Sequence, residues 1–370
     1  MTAVVGSRKR IQGLDVIRGM AILLVILRHS WPNVFGTAGI VGVVVFFALS
    51  GYLITGLLLR DIQARGRVRY GRFYLHRAIR LLPALAFMLA GVAIMEGVLN
   101  LAGTRDQVPR GILVAATYTM NIPGFGHGTY LLNHLWTLAN EEQFYLIWPV
   151  VLVIAVLWKR PALVVTACVV VVYFTMLATL LLSYPDVASI YTFPTSWTIA
   201  MIIGAAAQIW RSHIETILRG RAAAALAVAG GLGLLALAMI PEDKGAIWTY
   251  AAGGPVIAVL TVLMIFGLQS IPVVAAPVLP LVWLGVISYA AYLWNYPIGF
   301  WLGALDAGPA RPLIQAVFTI VLGAVSWFLV ETPFNRWRDR LDARGRDRAV
   351  RPGVQAGEHP SDPSTRAPTG

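Results

Sequence analysis

The feature that most constrains this chain is a train of long apolar runs, recurring along nearly all of its 370 residues and separated by short basic or Gly/Pro-rich breaks. A run of about 20 apolar residues crosses the hydrocarbon core of a bilayer as one helix. Inside lipid, only helices and closed barrels satisfy their own backbone groups. The runs lie near residues 15–32, 39–59, 79–99, 140–158, 162–183, 193–210, 222–240, 247–268, 278–302 and 312–331. They predict an all-α polytopic membrane protein with about ten transmembrane helices. Composition agrees: 58% of residues are hydrophobic and 12% charged, where a soluble domain carries about a quarter charged. A single integral membrane domain is expected over residues 1–335. Residues 336–370, rich in Arg, Asp, Pro and Gly, are expected to form a basic, disordered cytoplasmic tail, because they cannot bury enough apolar surface to fold.

Basic residues set the orientation. With the N-terminus inside, the inner segments hold Arg8, Lys9 and Arg10, then Arg60 through Arg80, Lys159 and Arg160, Arg211, Arg219 and Arg221, and the Arg-rich tail. The outer segments hold only Arg105, Arg110, Lys244 and Arg311. Cytoplasmic loops retain Lys and Arg, so both termini are expected in the cytoplasm. The net charge of +12 is thereby assigned to topology and to anionic lipid or phosphate rather than to nucleic acid. The single cysteine, Cys168, lies in an apolar run and excludes an intramolecular disulfide or a Cys-based metal site. Asp15, Arg18 and His29 interrupt the first run and no cleavage motif follows, so that segment is expected to be retained as a span.

Ionisable side chains within a span cost several kcal/mol unless they face a partner or a polar cavity, and this makes the first span informative. It carries Asp15, Arg18, Arg28 and His29. At about 100° per residue, Arg18, Ile22, Val25 and His29 form one stripe, its ends about 16 Å apart. Asp15 is placed to pair with Arg18. Snorkelling to the interface accounts for either residue singly, and less well for the aligned pair. Downstream, Ser50-Gly51 in the Phe46 to Tyr52 stretch lets a second helix approach closely. Arg77 and Arg80 stand three residues apart at a helix start, where two guanidiniums can hold one polyanion. The stretch from Leu135 and Trp136 to Tyr145 puts Glu141 and Glu142 at the mouth of the fourth span. Adjacent helical residues point about 100° apart, so at most one of them faces a common cavity. Glu142 is the one expected to orient a histidine, with helix capping as its alternative. The connection 100–139, with Asn121 and His127, is long for an unstructured link and is expected to be functional.

These motifs, in order over residues 11–340, resemble the acyltransferase 3 family of bacterial integral membrane acyltransferases. The resemblance rests on Gly13-Leu14-Asp15 leading to Arg18 and His29, on Phe46 to Tyr52, and on Arg77 and Arg80 before Pro83. It continues through Trp136 to Tyr145, Leu284 to Trp294, and Glu331 with Pro333 and Phe334. Three positions depart from the family pattern: Val44 stands where an Asp is common, Thr195 to Ile199 replaces a Thr-Arg-x-Asp element, and Asn295 stands where a His is common. The length corresponds to the stand-alone form without a fused esterase-like domain.

The resemblance implies a bacterial inner-membrane enzyme that moves an acyl group, acetyl being the commonest, from cytoplasmic acyl-CoA to a hydroxyl of a cell-envelope sugar or glycolipid. It implies no metal. His29 would be the general base and Glu142 its orienting partner, with Arg18, Arg77 and Arg80 on the CoA phosphates and the pantetheine arm lying along the stripe. Asp15, Glu141, Ser50, Tyr52, Trp136, Asn295 and Glu331 are further substrate or structural candidates. An acyl-histidine intermediate is the mechanistic rival. Acylation of a secreted small molecule such as a macrolide sugar, or transport of a lipid or solute, are the alternative functions. Oligomerisation is left open.

Overall fold

In the computed structural model, residues 11–123, 130–269 and 274–350 are described, with side chains through Ala343. Arg8, Lys9, Arg10, His127 and the last 20 residues of the tail, 351–370, lie outside them. The described residues are helical throughout, without a strand, as the apolar runs require. In order the helices are α1 (Gln12–Ser30), α2 (Ala38–Arg65), α3 (Tyr70–Val92), α4 (Val108–Ala116), α5 (Trp136–Leu157), α6 (Pro161–Leu182), α7 (Pro194–Ile209) and α8 (Arg211–Ile217). They continue with α9 (Gly220–Ala238), α10 (Gly254–Gln269), α11 (Leu279–Val286), α12 (Ser288–Ala304), α13 (Arg311–Ser326) and α14 (Thr332–Val350).

Helix covers every one of the ten apolar runs. Among the described residues, 7 helical stretches are long and apolar enough to cross a membrane. The pair α11 and α12 counts as an eighth if it is one span, bent by 69°. That bend differs from the unbroken span expected near 278–302. Two predicted spans fall short for visible reasons: α1 carries Asp15, Arg18 and Arg28 in its 19 residues, and α7 has only 16 residues. Both are enclosed by other helices. α1 packs against α2, α10, α11, α12 and α13, and α7 against α2, α6 and α10. Large apolar side chains on the outer helices, such as Phe174, Leu181 and Leu182 of α6 and Leu232 of α9, stay exposed, as a lipid-facing surface demands.

Glycine sets how closely the inner helices approach. An added Cβ at Gly51 of α2 would overlap the Met201 carbonyl of α7, and one at Gly204 of α7 would overlap the Ala48 carbonyl of α2. The Ser50-Gly51 notch is therefore a reciprocal packing site, as its small residues predicted. Gly285 of α11 lies in the same way on the Asp15 carbonyl of α1.

Two further differences from the sequence expectation concern the ends of connections. The last helix does not stop near residue 336 but runs on to Val350, anchored where Asp342 accepts from Arg72 at 2.8 Å and from His76 at 3.0 Å. The connection after α3 is held by Glu96, which is fully buried in a π-helical turn, Ala93–Val98. The Glu96 carboxylate accepts from the Ala102 and Thr104 amides, the Thr104 hydroxyl, and the Trp301 indole at 2.8 Å. A carboxylate inside an apolar run is thus satisfied by the loop it orders.

Candidate active site

Two cavities stand out among the described residues: one gathers several of the residues singled out from sequence, and the other takes His29. The first, with about 880 Å³ of empty space, is lined by Arg18 of α1, Ser50 of α2, Arg77 and Arg80 of α3, Glu141 and Tyr145 of α5, and Tyr289 and Tyr292 of α12. The second, with about 740 Å³, is lined by His29 of α1, Ala102 of the connection after α3, Tyr296, Phe300 and Gly303 of α12, and Arg311 and Gln315 of α13.

In the arginine cavity, Arg77 is already committed. Its guanidinium donates to both oxygens of Glu142, with a closest approach of 2.6 Å, and its Cζ lies 3.4 Å from the Tyr145 ring centroid, a cation–π contact. Arg80, one turn on, opens into the cavity with no ion pair among the described residues. Arg18 adds a third guanidinium, 3.4 Å from the carboxylate of buried Asp15. The Ser50 and Tyr145 hydroxyls hydrogen-bond to each other. Just beyond, burial and the nearby Glu142 carboxylate push the Tyr118 hydroxyl up to about 12, so it stays protonated.

The histidine cavity is organised by Asn295, which is fully buried. Its Nδ2 donates to the Thr319 hydroxyl at 3.1 Å, which turns Oδ1 toward His29 Nδ1 at 2.5 Å. An amide oxygen only accepts, so Nδ1 of His29 carries the proton and Nε2 keeps its lone pair. The ring is held further by edge-to-face packing on Tyr296, centroids 5.3 Å apart. A neutral imidazole with its donor nitrogen fixed and its acceptor nitrogen free is the form required of a base.

Between the cavities stands a wall. The Tyr292 hydroxyl, on the arginine side, donates to the His134 carbonyl at 2.8 Å and bonds the Thr137 hydroxyl at 2.6 Å. The His134 ring stacks on Tyr296, on the histidine side, at 5.1 Å. His134 Nε2 is 3.2 Å from the Leu293 carbonyl, while its Nδ1 is buried without a partner.

The structure therefore gathers Arg18, Arg77, Arg80, Ser50 and Glu141 into one site and places His29 with Asn295 in another. Glu142 is not beside His29: it is bound to Arg77, and the contact expected of it is made by Asn295. Glu141 is the member of the acidic pair that faces the cavity. The stripe from Arg18 to His29 is not a channel either, since Ile22 and Val25 between them are 0% and 1% exposed. Tyr52 bonds Gln269 at 3.0 Å, away from both cavities. Trp136 packs in an aromatic cluster with Phe47, Tyr191 and Trp197. Trp197 of that cluster belongs to the Thr195 to Ile199 stretch. Glu331, in a π-helical turn before α14, is buried with Oε1 unpartnered. The region after Tyr118 is tied to α5 by Asn121, which bonds Asn140 and exchanges amide bonds with Gln143 at 2.8 and 2.9 Å. Sequence reading missed His134, Glu96, Tyr296 and Gln315. A carboxylate inside an apolar run was the available signal for Glu96.

Apolar outer helices around a guanidinium-lined cavity and a histidine-lined one define a multi-pass membrane protein with polar sites in its interior. The chain belongs to the acyltransferase domain family, whose model matches residues 11–331. It is 29% identical over 360 residues to the peptidoglycan O-acetyltransferase OatA of Listeria monocytogenes, an alignment covering 89% of this chain and 56% of that protein. To the O-acetyltransferase OatA of Staphylococcus aureus it is 26% identical over 354 residues, covering 89% and 58%. A putative O-acetyltransferase of Staphylococcus aureus is 27% identical over 357 residues, covering 88% and 57%. The chain thus spans a little over half the length of these curated relatives. No solved structure matches it.

Proposed function

We propose that this chain is an inner-membrane O-acyltransferase that moves an acyl group, acetyl in the first instance, from cytoplasmic acyl-CoA to a hydroxyl of a cell-envelope sugar or glycolipid. The observation that carries this reading is the division of labour between the cavities, three guanidiniums in one and a tautomer-fixed histidine in the other. O-acetyltransferase relatives support the acetyl group and the hydroxyl acceptor. The ten crossings and the cytoplasmic termini belong to the same proposal, supported by the clustering of Arg60 to Arg80 at the arginine end.

Arg80 and Arg18 bind the CoA phosphates, and Arg77, held by Glu142, shapes the pocket beside them. The acyl thioester extends past Thr137 and Tyr292, whose hydroxyls must part to admit it. His29 Nε2 takes the proton of the acceptor hydroxyl as its oxygen attacks the thioester carbonyl. The C–S bond breaks, the ester forms, and CoA leaves as thiolate to take up a proton. Asn295 keeps the imidazolium formed at His29 oriented by accepting its Nδ1 proton.

The test is thiol release from acetyl-CoA by purified protein in detergent. The wild-type protein should release CoA, which a transporter or flippase would not. His29→Ala should abolish release while leaving CoA binding unchanged. A variant with full activity overturns the assignment of the base. Mass spectrometry of envelope glycans and secreted metabolites from a deletion strain then identifies the acceptor by its missing acyl mass.

A further inference from the structure

The histidine cavity contains a cation that the reaction just described does not use. Arg311, at the start of α13, lies across α12 in a trough made by two glycines four residues apart. Its Nη2 donates to the Gly299 carbonyl at 2.9 Å. A Cβ at Gly303 would sit 3.0 Å from Nη2, 3.2 Å from Cζ and 3.3 Å from Nη1, so the guanidinium lies flat on the space that glycine leaves. Gln315 uses Gly299 in the same way, with its Nε2 2.6 Å from where a Cβ would be. The guanidinium is thereby fixed by one bond on the lining of the cavity that His29 also lines.

Nothing acidic answers it. No carboxylate lines the cavity, and Arg311 makes no ion pair among the described residues. Glu96 is committed to Ala102, Thr104 and Trp301 and Glu242 to Arg28 at 2.5 Å and Lys244 at 3.6 Å, while Asp306, in the turn before α13, is exposed and outside the cavity lining. A planar guanidinium held in place with free donors is suited to a carboxylate or phosphate. Beside a base, that anion is most simply part of the molecule whose hydroxyl is deprotonated.

We infer that the acceptor bound at His29 carries an acidic group, carboxylate or phosphate, and that Arg311 receives it. The inference rests on the proposed function and adds the charge class of its acceptor. Arg311 is a binding residue that also sets position: the anion anchored there brings a hydroxyl to Nε2.

The test uses small alkylating probes and does not depend on the natural acceptor. Iodoacetate, 3-bromopropionate and 4-bromobutyrate are compared with their neutral amides on the full chain in detergent, and modified histidines are located by mass spectrometry. In each case Nε2 forms a bond to the probe carbon, halide leaves, and a proton is released to solvent. At the chain length that spans the cavity, the acid should modify His29 faster than its amide by about tenfold, the effect of one charge-assisted contact. Exposed His213 is the internal reference and should show no such preference. Arg311→Gln should bring the His29 ratio down to that of His213, and Arg311→Lys should keep part of it.

A wild-type ratio no greater than that of His213 at any length, or one unchanged in Arg311→Gln, overturns the inference. So does a His29 that none of the probes reaches while His213 reacts. A preference that vanishes on reconstitution with phosphatidylglycerol, but not with phosphatidylcholine, would give Arg311 to a lipid phosphate and also overturn it. Wild-type thiol release from acetyl-CoA is read separately: release with a flat alkylation ratio keeps the proposed function and loses only the acidic acceptor.

Discussion

The two cavities of this bundle are built on opposite plans. The arginine cavity gathers charge from three helices and leaves Arg80 open, while ion pairs with Glu142 and Asp15 hold the flanking Arg77 and Arg18. The histidine cavity places a single imidazole between a buried amide and an aromatic ring, fixing which nitrogen bears the proton. On the proposed function, the first binds the polyanionic donor and the second holds a single proton acceptor still. The contrast teaches that affinity for the donor and the rate of the chemical step should be separable by mutation.

The largest break in that separation would come from His29→Ala. Loss of a general base is expected to lower transfer by about 10²–10⁴-fold with the dissociation constant for CoA unchanged, checked by steady-state transfer and by calorimetry. A parallel loss of CoA affinity would merge the two sites. Arg80→Ala is next: losing a hydrogen bond to a charged group costs about 1.5–3 kcal/mol, so KM for acetyl-CoA should rise roughly tenfold or more. The rate at saturating donor should stay near that of the wild type. If kcat falls instead, Arg80 acts in the chemical step.

Asn295→Leu sharpens the other side. It strips the acceptor from His29 Nδ1 and should lower kcat about tenfold, the effect of one orienting hydrogen bond of about 1–1.5 kcal/mol, with KM for the donor unchanged. Asn295→Asp, which still accepts that proton, should restore part of the rate. The smallest effect is expected from Tyr292→Phe. It removes the two hydroxyl contacts of the wall and should lower the thermal midpoint in detergent slightly, about 1 kcal/mol of stability. Transfer should be unchanged or faster if parting those hydroxyls limits the reaction.

How much of this was legible beforehand varies by region. The apolar runs located every long helix except the polar α14, because burial in lipid leaves the backbone little choice. The spacing of Arg77 and Arg80 placed two guanidiniums one turn apart on one helix, and both line the first cavity, but they lie well inside α3 and not at its start. What they would meet was not legible: Arg77 is taken by Glu142, and only tertiary packing decides which of two adjacent carboxylates faces inward. The Arg18–His29 stripe was sound as helix geometry and failed as a channel, because Ile22 and Val25 are covered by neighbouring helices. The bend between α11 and α12 left no proline at Ile287 to announce it. Arg311 was visible only as one of four basic residues in the outer segments. Its setting in the Gly299–Gly303 trough depends on a contact between α12 and α13 that sequence spacing does not encode.

The wall of Tyr292, His134 and Tyr296 has an electrical consequence. A bilayer spanned by two facing polar cavities would conduct protons and small ions if water joined them, and would dissipate the gradient the cell lives on. On the proposed function, stacked rings and mutually bonded hydroxyls interrupt any such column of water, and an acyl group is handed across only when they part around it.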